Sequence, residues 1–361
     1  MDGVKVESHF YQAKWPGPLD PQLEPTWKKV ARIAWDIFSV IVFPIGLARL
    51  ALWALRQCAI KVLTPYLNNR GETTEWNQEC GTTLLEDKKG HRVPLKTPTG
   101  VLLDAAFFPR SDEMAIIYFP GLYGKWQRGT QHGSDPHIEE TGASVLMVNS
   151  RWHTHDNPFA DEAGLALDGW TAFDYLIKRG FSPDQIVFMG HSMGGAVATL
   201  GAGLAQEAFP DAEIKLINWN SYHSFASTIK ELISQRGQLP CGLEGVTCYL
   251  AYWVLRATGN VDVSSALEKI KTKVVIWNAA DETIYSPAQA VQKATSGLSF
   301  EMKSYGKSAD HPSLEKRAGW AHIRPFTPSE GRALQAILLR FFGRPLSDKQ
   351  AKSFGRYVTV I

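Results

Sequence analysis

The stretch Ile186-Val-Phe-Met-Gly-His-Ser192-Met193-Gly-Gly195 decides the fold of this chain. Four β-forming residues are followed by G-x-S-x-G, and an alanine-rich run up to Ala208 then predicts a helix. A sharp turn from a strand into a helix leaves little space at its flanks, which is why glycine stands two residues before and after the serine. The pattern predicts that Ser192 is held exposed as a nucleophile, with the N–H of Met193 as the first oxyanion donor.

Composition excludes several classes of protein. Of the 361 residues, 44% are hydrophobic and 20% are charged, which is an ordinary balance for a protein that buries a large core. With 38 basic and 36 acidic side chains, the net charge of +2 provides no field that would attract nucleic acid. The four cysteines include no C-x-x-C pair, so neither a zinc ribbon nor a dithiol redox site is predicted.

Short apolar strands alternate with helical stretches along residues 80–345. Residues 82–85 and 101–108 are expected to open the sheet as an antiparallel pair. The alternation predicts an α/β fold with a mostly parallel central sheet, helices on both faces, and an active site at the carboxyl ends of the strands. The other strand candidates are 114–119, 144–148, 186–189, 214–219, 273–277 and 299–303, and the helix candidates are 161–178, 194–208, 286–294 and 329–342.

The first 26 residues form a polar segment of their own. Pro16, Pro18, Pro21 and Pro25 interrupt it, so we expect an extended arm that forms neither helix nor sheet. The first apolar run starts only near residue 37, which does not fit the short charged leader of a signal peptide.

Residues 27–70 are predicted to form an apolar, basic, helical segment. Its part up to residue 67 carries six basic side chains and one acid, which suits an anionic membrane surface on the cytoplasmic side. Pro44 and Gly46 interrupt the apolar run, and Arg49 would lie near the bilayer centre, so a simple spanning helix is not expected. Two helices bent at residues 43–46 and lying in the interface fit better. A helical pair packed against the catalytic domain is the alternative.

The motif GHSMGG, in this setting, resembles the α/β-hydrolase superfamily of esterases, lipases and thioesterases, and the resemblance covers residues 80–345. In that family the acid follows the nucleophile in the chain, and the histidine follows the acid. The resemblance implies that Asp281 is the acid, with Glu282 beside it in the same loop. It also implies His322, just before the closing helix, as the general base. His311 is the alternative base because its distance from Asp281 in the sequence is the more usual one.

Two loops beside the predicted sheet also carry expectations. Family members take a second oxyanion donor from the loop after the third strand, which implies the N–H of Leu122, or next to it Tyr123. After the following strand, the run 149–157 contains H-x-H-D where many relatives have a glycine-rich turn. The further ligands of a dinuclear metal site are missing, so we predict no metal and no cofactor.

These features predict a serine hydrolase that cleaves an acyl or lipid-like ester at a membrane surface. An apolar insert at about 222–258 lies where relatives carry a helical cap, which suggests an apolar substrate such as one with an acyl chain. The alternative is a hydrolase fold kept as a membrane-docked scaffold or effector with weak catalysis. The string at 41–50 is also similar to hydrolase-like proteins of intracellular bacteria such as Chlamydia and Legionella, which implies work inside a host cell after specialised secretion.

Overall fold

A computed structural model describes residues 11–16, 28, 30, 31, 34, 74–121, 124–128, 136–153, 161–228, 261–278, 298–302, 322 and 326–360. These residues form a sheet of ten strands in the order β1-β2-β3-β5-β4-β6-β7-β8-β9-β10. The six strands from β4 to β9 run parallel, whereas β3 and β10 run antiparallel to their neighbours. The strands are β1 (Tyr11–Gln12), β2 (His91–Lys96), β3 (Leu102–Phe108), β4 (Ala115–Phe119), β5 (Ser144–Asn149), β6 (Ile186–His191), β7 (Lys215–Trp219), β8 (Thr272–Asn278), β9 (Leu298–Met302) and β10 (Val358–Val360).

Helices cover both faces of this sheet. One face carries α3, α4 and α5, and the other carries α1, α2, α6 and α7. Strand β4 shows how the sheet serves both layers, because Ile117 and Phe119 enter the first core while Ile116 and Tyr118 enter the second. The helices are α1 (Thr74–Asp87), α2 (Pro136–Glu139), α3 (Glu162–Lys178), α4 (Met193–Ala208), α5 (Ser264–Lys269), α6 (Pro328–Phe341) and α7 (Asp348–Tyr357).

The predicted fold class is therefore confirmed: a mostly parallel sheet with helices on both faces. The predicted strands from 114 onwards match β4 to β9 within one residue or two. The chain passes from β4 to β5 on one side and then crosses to β6 on the other side of β4. The direction in which successive strands are added to the sheet therefore reverses at β4. In such sheets ligands usually bind in the crevice at the carboxyl ends of the strands on either side of this point, here β4 and β6.

The predicted opening strand at residues 82–85 is wrong, because these residues lie in helix α1. Gly81 and Leu85 are buried while Thr82 and Thr83 are exposed, which is the period of a helix rather than of a strand. Four residues are too few to distinguish the two periods from sequence. The antiparallel opening pair is formed by β2 and β3 instead, with His91 opposite Phe107.

The expectation that the N-terminal arm forms no sheet is also wrong. Tyr11–Gln12 pair in parallel with Leu95 and Lys96, at the edge of the sheet. The Tyr11 hydroxyl donates to the Asp174 carboxylate at 2.6 Å, and Trp170 Nε1 donates to the Lys14 carbonyl at 2.8 Å. Contacts made by side chains more than 150 residues away thus hold the arm, and local sequence carries no sign of them.

Several predicted segments lie mainly outside the described residues. In the segment 27–70, residues 28, 30, 31 and 34 are helical and exposed, and the rest is not described. The cap insert is described only up to residue 228, and the predicted helix 286–294 not at all. Among the residues that are described, no helix combines the length and apolarity needed to cross a bilayer.

Candidate active site

Ser192 occupies the tip of a strained turn between β6 and α4. Its backbone has φ 55° and ψ −123°, a combination that residues other than glycine rarely adopt. The turn is held by hydrogen bonds from Ser192 N to the Trp219 carbonyl and from Gly195 N to the Ser192 carbonyl, both 2.9 Å. The side chain is partly exposed in an otherwise buried stretch, so the turn presents its hydroxyl outwards.

The glycines of the motif are required by close packing. A Cβ on Gly190 would lie 2.1 Å from the Gly194 carbonyl oxygen, and one on Gly194 would lie 2.0 Å from the Phe119 carbonyl oxygen. Any side chain at either position would force backbone apart. The steric reason that the sequence suggested for these glycines is therefore visible in the structure.

His322 lies against the serine. Its Nε2 is 2.9 Å from Ser192 Oγ, which is within hydrogen-bonding distance for a proton transfer. The two residues are 130 positions apart in sequence, and the fold brings them together at the carboxyl edge of the sheet. This is the nucleophile–base arrangement that activated serines share.

Two side chains that the sequence did not single out hold the backbone of His322. His191 Nε2 lies 2.8 Å from the His322 carbonyl oxygen, and Asn220 Nδ2 donates to the same oxygen at 3.4 Å. Since a carbonyl only accepts, His191 Nε2 must carry its proton. The two histidine rings are also in contact, with centroids 4.8 Å apart. The variable residue of G-x-S-x-G thus positions the candidate base, and its identity alone gives no signal of this.

Asn220 has a backbone suited to that task. It follows β7 with φ 43°, and its N–H donates to the Ile276 carbonyl at 2.8 Å. Asparagine tolerates the left-handed region better than most residues. The strained position lets the chain turn sharply at the end of β7 and point the Asn220 amide at the His322 carbonyl oxygen.

Gly121, two residues after the end of β4, lies on the other side of the site. A Cβ placed on it would lie 3.3 Å from Ser192 Cβ and 3.2 Å from His191 Nδ1, so its backbone is close to the elbow. Its carbonyl accepts a hydrogen bond from Gly124 N at 2.8 Å, and His153 Nε2 lies 3.2 Å from the same oxygen. The loop predicted to carry the second oxyanion donor therefore begins beside the nucleophile.

A buried ion pair supports the rim next to this loop. Arg151 Nε and Nη2 donate to Asp168 Oδ1 at 3.0 and 2.8 Å, and Arg151 N donates to Oδ2 at 2.8 Å. Complete burial raises the pKa of the Asp168 carboxyl from its ordinary value, and the guanidinium of Arg151 opposes that rise. Gly164 makes room for the pair, since a Cβ there would lie 2.1 Å from Arg151 Nη1.

Aromatic side chains lie beside the start of α4. The Tyr222 hydroxyl is 2.7 Å from Met193 Sδ, and burial raises the pKa of Tyr222 above its ordinary value. Tyr222 also contacts Phe225, which in turn contacts Trp152 on the rim. This apolar cluster packs around the residue whose N–H was predicted to bind the oxyanion.

The structure thus brings together Ser192, Met193 and His322 among the predicted site residues. Leu122, Tyr123, Asp281, Glu282 and His311 lie outside the described residues, so their roles stay predictions. Within the described ranges, no group of three or more His, Cys, Asp or Glu side chains is placed to hold a metal ion.

The chain is similar in sequence to parts of two known proteins. No family model matches the chain. It is 36% identical over 159 residues to a multifunctional-autoprocessing repeats-in-toxin of Vibrio vulnificus, a match that covers 39% of this chain and 3% of the toxin. A toxin of the same description from Vibrio cholerae is 36% identical over 63 residues, 17% of this chain and 1% of that protein. The chain therefore corresponds to a small part of either relative.

Among solved structures, an alpha-beta hydrolase from Vibrio vulnificus superimposes with a TM-score of 0.50 at 18% identity, covering 68% of this chain and 85% of that one. This likeness and the order of the strands define the class: the chain has the α/β-hydrolase fold. Within that fold it carries a G-x-S-x-G elbow with a histidine in contact with the serine.

Proposed function

We propose that this protein is a serine hydrolase that cleaves a carboxylic ester through an acyl-enzyme intermediate. The observation that carries the proposal is the 2.9 Å contact between His322 Nε2 and Ser192 Oγ at a strained, outward-facing turn. Strain of this kind persists only where surrounding structure maintains it, and it concentrates at functional sites. Fold alone does not choose a function, and this serine–histidine pair is the feature of the site that favours ester cleavage.

In the proposed reaction, His322 takes the Ser192 proton as Oγ attacks the ester carbonyl carbon. The carbonyl oxygen becomes an oxyanion, for which the N–H of Met193 at the start of α4 is the first donor and that of Leu122 the predicted second. The first turn of α4 contains no acid that would repel this charge. His322 then gives its proton to the departing alcohol, and water releases the acyl group by the same steps in reverse. Asp281 is proposed to orient the imidazole.

Labelling with a fluorophosphonate probe tests the activated serine. We expect the full-length protein to be labelled and to hydrolyse p-nitrophenyl esters, whereas Ser192→Ala should do neither. Esters of two to sixteen carbons would then distinguish a lipid-like from a small acyl group. Absence of labelling in the folded wild type would instead favour the alternative hypothesis, a membrane-docked scaffold or effector with weak catalysis.

Separate variants distinguish the candidate acid and base. His322→Ala is expected to lower kcat about as far as Ser192→Ala does, because either change removes a member of one catalytic unit. His311→Ala should leave most activity, since His322 already contacts the serine. The acid assignment predicts that Asp281→Asn is far more damaging than Glu282→Gln. Loss of activity only with His311→Ala would overturn the choice of base.

We also propose that the protein binds its substrate at a membrane surface on the cytoplasmic side, and, from the similarity of residues 41–50 to proteins of intracellular bacteria, that it does so inside a host cell. Support comes from the basic, apolar composition of residues 27–67 and from Lys28, which is exposed on a helix. The full chain should bind vesicles that contain phosphatidylserine more than neutral ones. Binding should fall when the segment's six basic residues become glutamine: Lys28, Lys29, Arg32, Arg49, Arg56 and Lys61. Equal binding of the two proteins would show that these basic residues do not hold the chain on the membrane, and a wild type that binds neither kind of vesicle would exclude the membrane role.

A further inference from the structure

The H-x-H-D run after β5 has no role in the reaction as described above. Its first histidine, His153, lies at the rim of the site with Nε2 3.2 Å from the Gly121 carbonyl oxygen. A carbonyl oxygen only accepts hydrogen bonds, so Nε2 carries the proton and Nδ1 is left as an acceptor. Nδ1 faces the Ser150 hydroxyl at 3.5 Å. The ring therefore acts as a hydrogen-bond donor towards the loop that follows β4.

His153 stands on a rigid support. Arg151–His153 form a single turn of 3-10 helix, and His153 N donates to the Ser150 carbonyl at 2.8 Å. Arg151 anchors that turn through its side chain and its backbone, both of which bind the fully buried carboxylate of Asp168 in α3. Only 5% of Arg151 is exposed. A hydrogen-bond donor that is anchored in this way can hold its partner in one position, as residues that support an active site must.

The partner of His153 is close to the reacting groups. Gly121 approaches the elbow closely enough that an added Cβ would be 3.3 Å from Ser192 Cβ. The peptide unit that begins with the Gly121 carbonyl is planar, so holding its oxygen also sets the direction of the N–H at its other end. That N–H belongs to Leu122, the predicted second oxyanion donor. Such donors stabilise the transition state only when they point at the developing charge.

We infer that His153 is a positioning residue that holds the Gly121 carbonyl and thereby aligns the backbone donor of the oxyanion hole. The inference rests on the proposed serine-hydrolase function. It assigns to the H-x-H-D run a role in which the histidine binds a backbone carbonyl, in place of a metal ion.

Three substitutions of His153 in the full-length protein test the inference. His153→Phe keeps a ring of similar size and removes the donor, His153→Gln places an amide N–H where Nε2 stood, and His153→Asn has a polar side chain too short to reach. The substrate is p-nitrophenyl butyrate, and an alkyl trifluoromethyl ketone serves as a mimic of the tetrahedral intermediate. His91→Phe is the matched control, because His91 pairs with Phe107 in the half of the sheet away from the site.

We expect His153→Phe and His153→Asn to lower kcat by about 10- to 100-fold with little change in KM, since a displaced donor loses part of its effect on the transition state. Affinity for the ketone should fall by a similar factor, because it reports transition-state binding. His153→Gln should recover most of both losses, and His91→Phe should match the wild type. Thermal unfolding of each variant identifies any that fail to fold, and the Asn–Gln pair then decides alone.

Two results would overturn the inference. If wild type is active and His153→Asn keeps wild-type kcat and ketone affinity, His153 does not position the donor. The same conclusion follows if His153→Gln and His153→Asn are equally impaired, because the length of the side chain that carries the N–H donor would then have no effect. If the wild type neither hydrolyses the ester nor is labelled by fluorophosphonate, the proposed function itself fails and the inference fails with it.

Discussion

At the scale of single residues, the site depends on backbone positions that most side chains avoid. Ser192 and Asn220 both have positive φ, at 55° and 43°, and each directly follows a parallel strand of the sheet. Ser192 is the candidate nucleophile, and Asn220 donates to the backbone carbonyl of the candidate base His322. Left-handed backbone of this kind costs a non-glycine residue on the order of 1–3 kcal/mol. The neighbouring hydrogen bonds and close packing must offset that cost.

Replacing the serine in two ways measures this strain. Neither Ser192→Ala nor Ser192→Gly can act as a nucleophile, but only glycine adopts φ 55° freely. We expect Ser192→Gly to be more stable than Ser192→Ala by about 1 kcal/mol, after allowing for the greater freedom of glycine in the unfolded chain. Urea denaturation of both variants provides the comparison. Equal stability, or a more stable alanine variant, would show that the turn stores no strain.

At the scale of secondary-structure elements, glycine sets how closely α3 and α4 pack. A Cβ on Gly169 would lie 2.5 Å from Gly201 Cα, and a Cβ on Gly201 would lie 2.6 Å from Gly169 Cα. The two helices therefore touch backbone to backbone at this crossing. Since α4 begins at the elbow and α3 carries Asp168, their contact also sets the distance between the nucleophile and the rim.

Alanine substitutions at this crossing should destabilise the protein. We expect Gly169→Ala and Gly201→Ala each to lower the free energy of unfolding by about 1–3 kcal/mol, because backbone must move apart to admit the methyl group. Gly355 in α7 is a matched control, since a Cβ there meets nothing within 4 Å. Gly355→Ala should stabilise the protein by up to about 1 kcal/mol through helix propensity. Chemical denaturation of the three variants tests the opposite signs.

Sequence periodicity succeeded for the elements that lie in the interior of the fold. Strands β5 and β6 are buried along their whole length and are mainly apolar, and the helices that follow them, α3 and α4, lie where the sequence predicted them. Periodicity wrongly predicted a strand at residues 82–85, which lie in α1, where only part of each turn is buried. The edge strand β1 was also missed, because its pairing depends on partners in β2 and α3 that are remote in sequence.

At the scale of the whole molecule, buried ionisable groups connect stability to pH. The Tyr222 side chain is enclosed, and burial raises its pKa, so the folded state keeps this proton when an exposed phenol loses it. An unfolded tyrosine titrates near pH 10. Above about pH 10 the unfolded state therefore binds fewer protons than the folded state, and stability must fall as pH rises.

The variant Tyr222→Phe isolates this contribution. Its ring is retained and its free energy of unfolding near pH 7 should stay close to that of wild type, because only the contact with Met193 Sδ is removed. Above about pH 10 the wild type should lose about 1.4 kcal/mol per pH unit more than the variant, which corresponds to one proton. Urea titrations at several pH values between neutrality and pH 11 measure the two slopes. Parallel slopes would mean that Tyr222 ionises in the folded state.

The sequence by itself determined the class of fold and the candidate nucleophile, because both follow from local rules. A buried strand, a G-x-S-x-G turn and a small-residue helix must lie next to one another along the chain, and each leaves its own period or glycine pattern. Sequence also named His322, although it kept His311 as an alternative. Only the tertiary structure decided which groups surround the serine. His191 and Asn220 contact the His322 carbonyl across 131 and 102 residues, and His153 reaches Gly121 from the 3-10 turn after β5. Such contacts depend on how strands order in the sheet, and side chains that bind backbone carbonyls leave no periodic signal in the chain.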